Sequence, residues 1–148
     1  MDENLEKLKE FLNSIWKAQD LANTLYESAE RMEAEAYNLK SVQLGDKVQS
    51  SHQSDLSDIV VRLEDSRNAL HDAMFMWMEL WDEGEELISH ETDLTLQNLL
   101  WKRYMQGGKW EDIAESLGFS VDHVFRLHRK ALMDVIPYFH PKDDSKCQ

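Results

Sequence analysis

The chain has few residues that interrupt helices and almost none that cross-link them. Its 148 residues include two prolines, five glycines and one cysteine. This composition, rich in Leu, Glu, Ala, Met and Lys, favours an all-α fold over a sheet. The single Cys147 excludes an intramolecular disulfide and favours a reducing compartment. No apolar run approaches the roughly 20 residues that span a bilayer, and the acidic N-terminus lacks a signal core. We therefore expect a cytoplasmic location.

The residue patterns that accompany catalysis are also missing. Gly107-Gly108 is typical of a helix stop, not of a loop that cradles phosphate. The pairs Glu86/His90 and His123/His128 lack a third ligand at metal-binding spacing, and nothing around Cys147 would activate its thiol. We expect a non-enzyme without metal or cofactor.

Negative charge dominates the composition but is unevenly distributed. The net charge is −13, and residues 1–93 hold 8 Lys/Arg against 22 Asp/Glu, whereas residues 94–148 hold 8 against 7. Six cations fall within residues 102–130: Lys102, Arg103, Lys109, Arg126, Arg129 and Lys130. The overall sign can therefore hide a locally cationic face.

Two long segments repeat apolar or small residues at steps of three and four, which predicts two coiled-coil helices. The first seam contains Leu8, Phe11, Ile15, Ala18, Ala22, Leu25, Ala29, Met32, Ala36 and Leu39. The second contains Leu56, Ile59, Leu63, Ser66, Leu70, Ala73, Trp77, Leu80, Gly84 and Leu87, with Ser66 and Gly84 as weak points. Flanking Val60, Met74, Trp81 and Ile88 widen the second apolar face and predict deeper burial for that helix.

A polar stretch between the seams, residues 41–54, predicts a mobile loop. The simplest architecture is thus a long antiparallel helical hairpin over residues 1–91, although either seam could pair with another subunit. The extra apolar flank could bind the C-terminal domain or a second copy of the chain, and we expect both.

Three shorter helices are predicted over residues 92–138. Thr92 or Asp93 can cap a helix from Leu94 to Met105, and a second runs from about Trp110 to Ser116. Gly118 suits the left-handed position that ends it, and Ser120 caps a last helix reaching about Ile136. Residues 139–148 have no packing signal and predict a flexible tail.

The last two helices satisfy the requirements of a helix-turn-helix. Ile113, Ala114 and Leu117 supply the first inward stripe, and Phe119 is expected to fill the angle between the helices. Val124, Leu127, Ala131 and Leu132 supply the second inward stripe. The candidate DNA-binding residues face outward, where the N-terminal part can meet base edges and cations can meet phosphate: Val121, Asp122, His123, Phe125, Arg126, Arg129 and Lys130.

This segment resembles region 4 of sigma-70-type transcription initiation factors. The resemblance rests on Glu111 to Ala114, Leu117 to Ser120, Val124, and Ala131-Leu132. It implies entry of Val121, Asp122, Phe125 and Arg126 into the major groove of promoter DNA, with Arg129 and Lys130 toward the backbone. Nearly the whole chain is similar to small phage and prophage proteins of Gram-positive bacteria, described as sigma-like or regulatory. That resemblance implies double-stranded DNA and RNA polymerase as binding partners, and the cytoplasm of a bacterial host as the location.

The sequence differs from the sigma region 4 pattern in two respects that bear on DNA contacts. Lys109 replaces a capping Ser or Thr, and Val121 and Phe125 stand where sigma factors commonly have arginine. The two apolar side chains could touch thymine methyl groups or belong to a protein interface. The first 90 residues lack the aromatic-basic run of the promoter-melting region, which argues against a complete sigma factor.

Several functions remain open from sequence. The first is a phage DNA-binding transcription regulator, whose hairpin mediates homodimerisation or contacts RNA polymerase. The second is an interaction module that binds RNA polymerase or a host regulator without reading DNA, with the acidic run of residues 79–86 as a DNA mimic or a solvated face. A DNA-packaging subunit and a plain three-helix bundle are weaker alternatives. Trp77, Trp81 and Trp110 are expected to pack in the core.

Overall fold

The computed structural model of the protein describes residues 2–45 and 50–142, and side chains over residues 3–39 and 56–142. Within these ranges the fold is all-helical, as the composition predicts, and contains no strand. Its helices are α1 (Asp2–Gly45), α2 (Ser50–Ser89), α3 (Leu94–Leu100), α4 (Trp110–Leu117) and α5 (Val121–Val135). A π-helical turn, Trp101–Met105, continues α3, and a 3₁₀ turn, Ile136–Tyr138, follows α5. None of the described helices is long and apolar enough to cross a membrane.

The two heptad seams are confirmed as the inward faces of α1 and α2. In α1 the seam residues Leu8, Ile15, Ala18, Ala22 and Ala29 are buried and the other five are half-buried. In α2 every seam residue is buried or half-buried. The predicted loop over residues 41–54 is too long, since residues 41–45 continue α1 and residues 50–54 begin α2. Residues 46–49, the remainder of that prediction, lie outside the described residues.

The described chain forms two compact units. The larger contains residues 2–17 and 78–142, and the smaller contains the described part of residues 18–77. This division differs from the predicted boundary near residue 91. The physical reason is that three short helices bury little apolar surface by themselves. The start of α1 and the end of α2 therefore join them and enlarge the core of the larger unit.

The core of the larger unit draws on every helix. Its buried side chains are Leu8, Leu12, Ile15, Leu87, Ile88, Leu96, Leu100, Tyr104, Met105, Ala131, Leu132 and Val135. Gly84 is buried in contact range of the Ile15 side chain, and a Cβ there would overlap Ile15 Cδ1. The glycine that weakens the sequence pattern is therefore the position that lets α1 and α2 approach each other closely within this unit.

In the smaller unit, the flank of α2 is exposed rather than deeply buried. Val60 and Met74 are exposed, contrary to the predicted burial, together with Val61, Phe75 and Met76. The smaller unit contains only parts of α1 and α2, so its described residues offer nothing to cover this flank. Ile88, in the larger unit, is buried as predicted, because α3 and α5 contribute to the same core.

The predicted tail is partly packed. The rings of Phe11 and Phe139 lie 5.6 Å apart, and Phe139 joins the large core. Lys142 Nζ lies 3.0 Å from Glu83 Oε1. Phe139 is thus half-buried against the larger core, so packing continues into the first residue of the predicted tail, whereas residues 140–142 are exposed. Residues 143–148, which include Cys147, lie outside the described residues.

Candidate nucleic-acid interface

Helix α3 begins at a side-chain cap and ends in a widened, π-helical turn. Asp93 Oδ1 accepts hydrogen bonds from the amides of Thr95, at 2.9 Å, and Leu96, at 3.3 Å. Asp93 is therefore the cap, one of the two residues that the sequence indicates. The helix widens into the π turn at Trp101, where the Gln106 amide donates to the Trp101 carbonyl at 3.0 Å. The sequence pattern does not predict this π turn.

The turn between α4 and α5 has the backbone that the sequence predicts. Gly118 is left-handed, with φ 74° and ψ 28°. The Phe119 amide donates to the Ala114 carbonyl at 3.0 Å and the Gly118 amide to the Glu115 carbonyl at 3.2 Å, the pair of bonds of a Schellman motif. Ser120 Oγ then accepts from the His123 amide at 3.2 Å and starts α5. Both boundaries of the turn are thus fixed by local hydrogen bonds.

A small core holds α4 and α5 against α3. It contains Leu99, Ile113, Ala114 and Val124, all buried, with Leu117, Val121 and Leu127 packed at its edge. Ala131, Leu132 and Val135 continue the buried stripe of α5 into the larger core. The predicted inward faces of both helices are therefore confirmed, and α5 is fixed along its length.

Phe119 does not fill the angle between the helices. Its side chain is 38% exposed, and its ring lies edge-to-face with the His123 ring at 4.8 Å. Ile113, Ala114 and Val124 already occupy the angle, which leaves the Phe119 ring outside it. The prediction for this residue is wrong.

The seven candidate DNA-binding residues differ in exposure. Exposed side chains are Asp122, Phe125, Arg126, Arg129 and Lys130. His123 is half-exposed and touches Phe119. Val121 is half-buried against the small core and is the least available of the seven. The outer face of α5 therefore combines one aromatic ring with one carboxylate and three cations.

The cations on this face have no acidic partner within the described chain. Ion pairs among the described residues are Lys7–Glu3, Lys9–Glu6, Arg67–Glu33 and Lys142–Glu83. Arg126, Arg129 and Lys130 belong to none of them. Their charges remain available to an external anion, although the chain as a whole is acidic.

Trp110 links the outer face of α5 to the π turn. The Arg103 guanidinium lies over the Trp110 ring, 4.3 Å from its centroid, and Arg103 Nη1 donates to the Gly108 carbonyl at 2.9 Å. Trp110 also lies edge-to-face with Phe125 at 5.3 Å and with His128 at 4.7 Å. A cation over an indole face is attractive, and edge-to-face rings favour one orientation. The spacing of these residues in the sequence gives no indication of this cluster.

Behind Trp110, Tyr104 and His128 form the polar contact of the same cluster. The Tyr104 hydroxyl lies 2.6 Å from His128 Nε2. Burial, with smaller contributions from Arg103 and Lys9, lowers the pKa of His128 to about 4. Burial raises the pKa of Tyr104 to about 12. Near neutral pH the imidazole is uncharged and the phenol keeps its proton, so the hydroxyl can donate to Nε2.

Outside this region, the larger unit has a cavity of about 250 Å³ near the end of α2, lined by Phe11, Glu83, Glu86, Leu87, His90, Tyr138, Phe139, His140 and Lys142. The rings of His90 and Tyr138 are stacked, with centroids 4.0 Å apart. Among the described residues, no three His, Cys, Asp or Glu side chains are placed to hold a metal ion. The cavity is therefore lined by both apolar and charged side chains, and the described residues around it do not form a metal site.

Comparisons with known protein-family models, curated proteins and solved structures find no significant match to the chain.

Proposed function

We propose that the protein is a DNA-binding transcription regulator of the phage or prophage type, and not an enzyme. In this proposal α1 and α2 pair as an antiparallel hairpin, and α3, α4 and α5 form a helix-turn-helix domain. The outer face of α5 would enter the major groove. The observation that carries the proposal is a set of three cations on the exposed face of α5 that form no ion pair with the described residues: Arg126, Arg129 and Lys130. The start of this helix is fixed by Gly118 and Ser120.

The dimensions and charge of α5 fit this role. Its 15 residues give a helix about 22 Å long, and the major groove admits one helix. Residues near the N-terminus of such a helix reach base edges, whereas Arg129 and Lys130, farther along it, suit phosphates. Because the rest of the chain is acidic and repels DNA, we expect weak non-specific binding at physiological salt.

The exposed flank of α2 supports the second part of the proposal. Val60, Val61, Met74, Phe75 and Met76 lie uncovered in the described chain. Val61 and Phe75 lie fourteen residues apart, which is two heptads, and Val60 and Met74 lie next to them in the same register. We propose that this side of α2 mediates homodimerisation, with RNA polymerase as the other candidate partner. A two-fold dimer would read paired half-sites about one helical turn apart, or a multiple of that distance.

A protein-interaction module is the second candidate function. It is favoured by Phe119 and Phe125, which expose aromatic surface close to Arg126 in place of polar groups that read bases. Aromatic residues and arginine are the residue types enriched in protein interfaces. In this alternative the same face docks onto RNA polymerase or a host regulator.

Selection from random double-stranded DNA, followed by binding measurements, tests the main proposal. The Arg126→Ala/Arg129→Ala variant should bind the selected site at least ten-fold more weakly and show a smaller dependence of affinity on salt. Arg31→Ala/Arg62→Ala is the matched control, because it removes two exposed cations of the smaller unit. Unchanged DNA binding in the α5 variant, together with loss of a protein partner, would favour the interaction module.

A further inference from the structure

Phe125 is an exposed apolar ring at the edge of the polar, cationic face of α5, next to Trp110. Its side chain is 45% exposed. Asp122 precedes it by three positions and Arg129 follows it by four, so these three side chains are neighbours on one side of α5. Arg126 is the next residue and lies about a quarter turn farther round the helix. An exposed phenylalanine is common on protein surfaces, but here a second observation accompanies its exposure.

That second observation is the support beneath the ring. Trp110 meets Phe125 edge-to-face at 5.3 Å, and Trp110 itself has Arg103 above its face and His128 edge-to-face at 4.7 Å. These contacts restrict the rotation of the Phe125 side chain before any ligand arrives. A ring ordered in this way loses little conformational entropy on binding.

The chemistry of the ring restricts what it can recognise. Phenylalanine neither donates nor accepts a hydrogen bond, so it cannot read the polar edges of guanine, adenine or cytosine. The apolar group that B-DNA presents in the major groove is the C5-methyl group of thymine. The neighbouring unpaired Arg126, Arg129 and Lys130 complement the phosphates on either side of such a base.

The two other apolar residues near the start of α5 are less suited to this contact. Val121 is half-buried against the small core. Phe119 precedes the helix, in the turn, where its ring rests on His123. The structure therefore distinguishes Phe125 from the residues that sequence alone leaves equivalent.

We propose that Phe125 is a specificity-determining residue that contacts the C5-methyl group of one thymine in the major groove, with Trp110 as its positioning residue. This inference rests on the proposed function, since it assigns a base contact to the same face of α5.

The test replaces thymine with uracil, which removes the methyl group and keeps the base pair. Each dT of the selected site is changed to dU in turn, and the affinity of the full-length protein is measured. We expect one position at which dU weakens binding about four-fold, the value for burying one methyl-sized group. The ratio of dT to dU affinities at that position should fall to about one in Phe125→Ala and remain in the matched control Phe119→Ala.

Phe125→Leu adds a conservative variant that keeps apolar contact, and it should retain part of the ratio. An unchanged ratio in Phe125→Ala overturns the assignment, as does a wild-type protein indifferent to dU at every position. Failure to select any DNA site would refute the proposed function together with this inference. Binding to a selected site without a uracil effect would refute the inference alone.

Discussion

The Tyr104 hydroxyl lies 2.6 Å from Nε2 of His128, which connects the π turn after α3 to the middle of α5. Tyr104 is buried and His128 is half-buried, and the His128 ring lies edge-to-face with Trp110 at 4.7 Å. A buried imidazole that must remain neutral makes the docking of α5 sensitive to acid.

Stability should therefore fall as the pH falls below 6.5. The pKa of His128 drops from 6.5 to about 4 in the folded chain, so the unfolded chain binds the proton more tightly between these values. The stability that the neutral His128 side chain provides is fully present above pH 6.5 and is lost progressively as the pH falls toward 4. We expect the free energy of unfolding, measured in urea, to be about 2 kcal/mol lower at pH 5 than at pH 7. His128→Gln should flatten this slope, whereas His123→Gln should not. Equal slopes in both variants would contradict the assignment.

Glu91 should have the opposite dependence on pH. It is 4% exposed, Oε1 accepts from the Asp93 amide at 3.0 Å, and Oε2 has no hydrogen-bond partner among the described residues. Burial raises the pKa of Glu91, the Asp93 amide opposes the shift, and the Asp134 carboxylate adds to it. The stability that the protonated form provides is present below pH 4.5 and is lost as the pH rises through the raised pKa.

Glu91→Gln should therefore stabilise the protein at pH 7, because it removes a buried charge and keeps an acceptor for Asp93. We expect the midpoint of thermal unfolding to rise by about 2–4 °C, with the gain shrinking at pH 4. Glu85→Gln, at an exposed position of α2, is the control. A loss of stability at pH 7 would show that Oε2 has a role in the folded chain as a carboxylate.

The two left-handed glycines should differ in their tolerance of alanine. Gly118 has open space around the position of a Cβ, so Gly118→Ala carries only the backbone penalty of about 1–2 kcal/mol. At Gly107, φ is +67° and a Cβ would overlap the Trp16 ring. We expect Gly107→Ala to lower the free energy of unfolding by at least about 1 kcal/mol more than Gly118→Ala.

Chemical denaturation of the single and double variants measures this difference. Adding Trp16→Ala should remove most of the excess at Gly107, because the two positions are coupled. Equal effects of alanine at Gly107 and Gly118 would argue against a close contact between Trp16 and the turn.

The exposed flank of α2 should control self-association. Phe75 is 69% exposed beside Met74 and Met76. Phe75→Glu places a charge in the proposed dimer contact and should shift the protein toward monomer by at least ten-fold in dissociation constant, as measured by sedimentation equilibrium. Asn23→Glu, at an exposed polar position of α1 in the same unit, should leave the equilibrium unchanged. A protein that is monomeric at all accessible concentrations would exclude this homodimer.

The helix faces and helix ends that depend on residues close in the sequence could be predicted. The heptad spacing identified the inward faces of α1 and α2, and Asp93, Gly118 and Ser120 marked helix ends, because each acts on amides or carbonyls a few residues away. The outward positions of Arg126, Arg129 and Lys130 followed from the same periodicity.

Features that depend on distant contacts could not be predicted. The Trp110 cluster joins Arg103, Phe125 and His128 from three segments, and no local pattern encodes that meeting. Phe119 was misplaced because its burial depended on how much space Ile113 and Val124 left between two helices. The sequence predicts a loop over residues 41–54 because that stretch is polar, but α1 extends to residue 45 and α2 begins at residue 50.

The larger unit takes residues 2–17 from the beginning of the chain and residues 78–142 from its end. During synthesis, Leu8, Leu12 and Ile15 therefore emerge from the ribosome long before the side chains that bury them. Helix α5 can pack completely only after both parts of the larger unit have been made, so residues 2–17 must wait for residues 78–142 before their apolar side chains are covered. A fragment that begins at α3 would lack these three core residues, and removal of the first seventeen residues should impair α5 from the opposite end of the sequence.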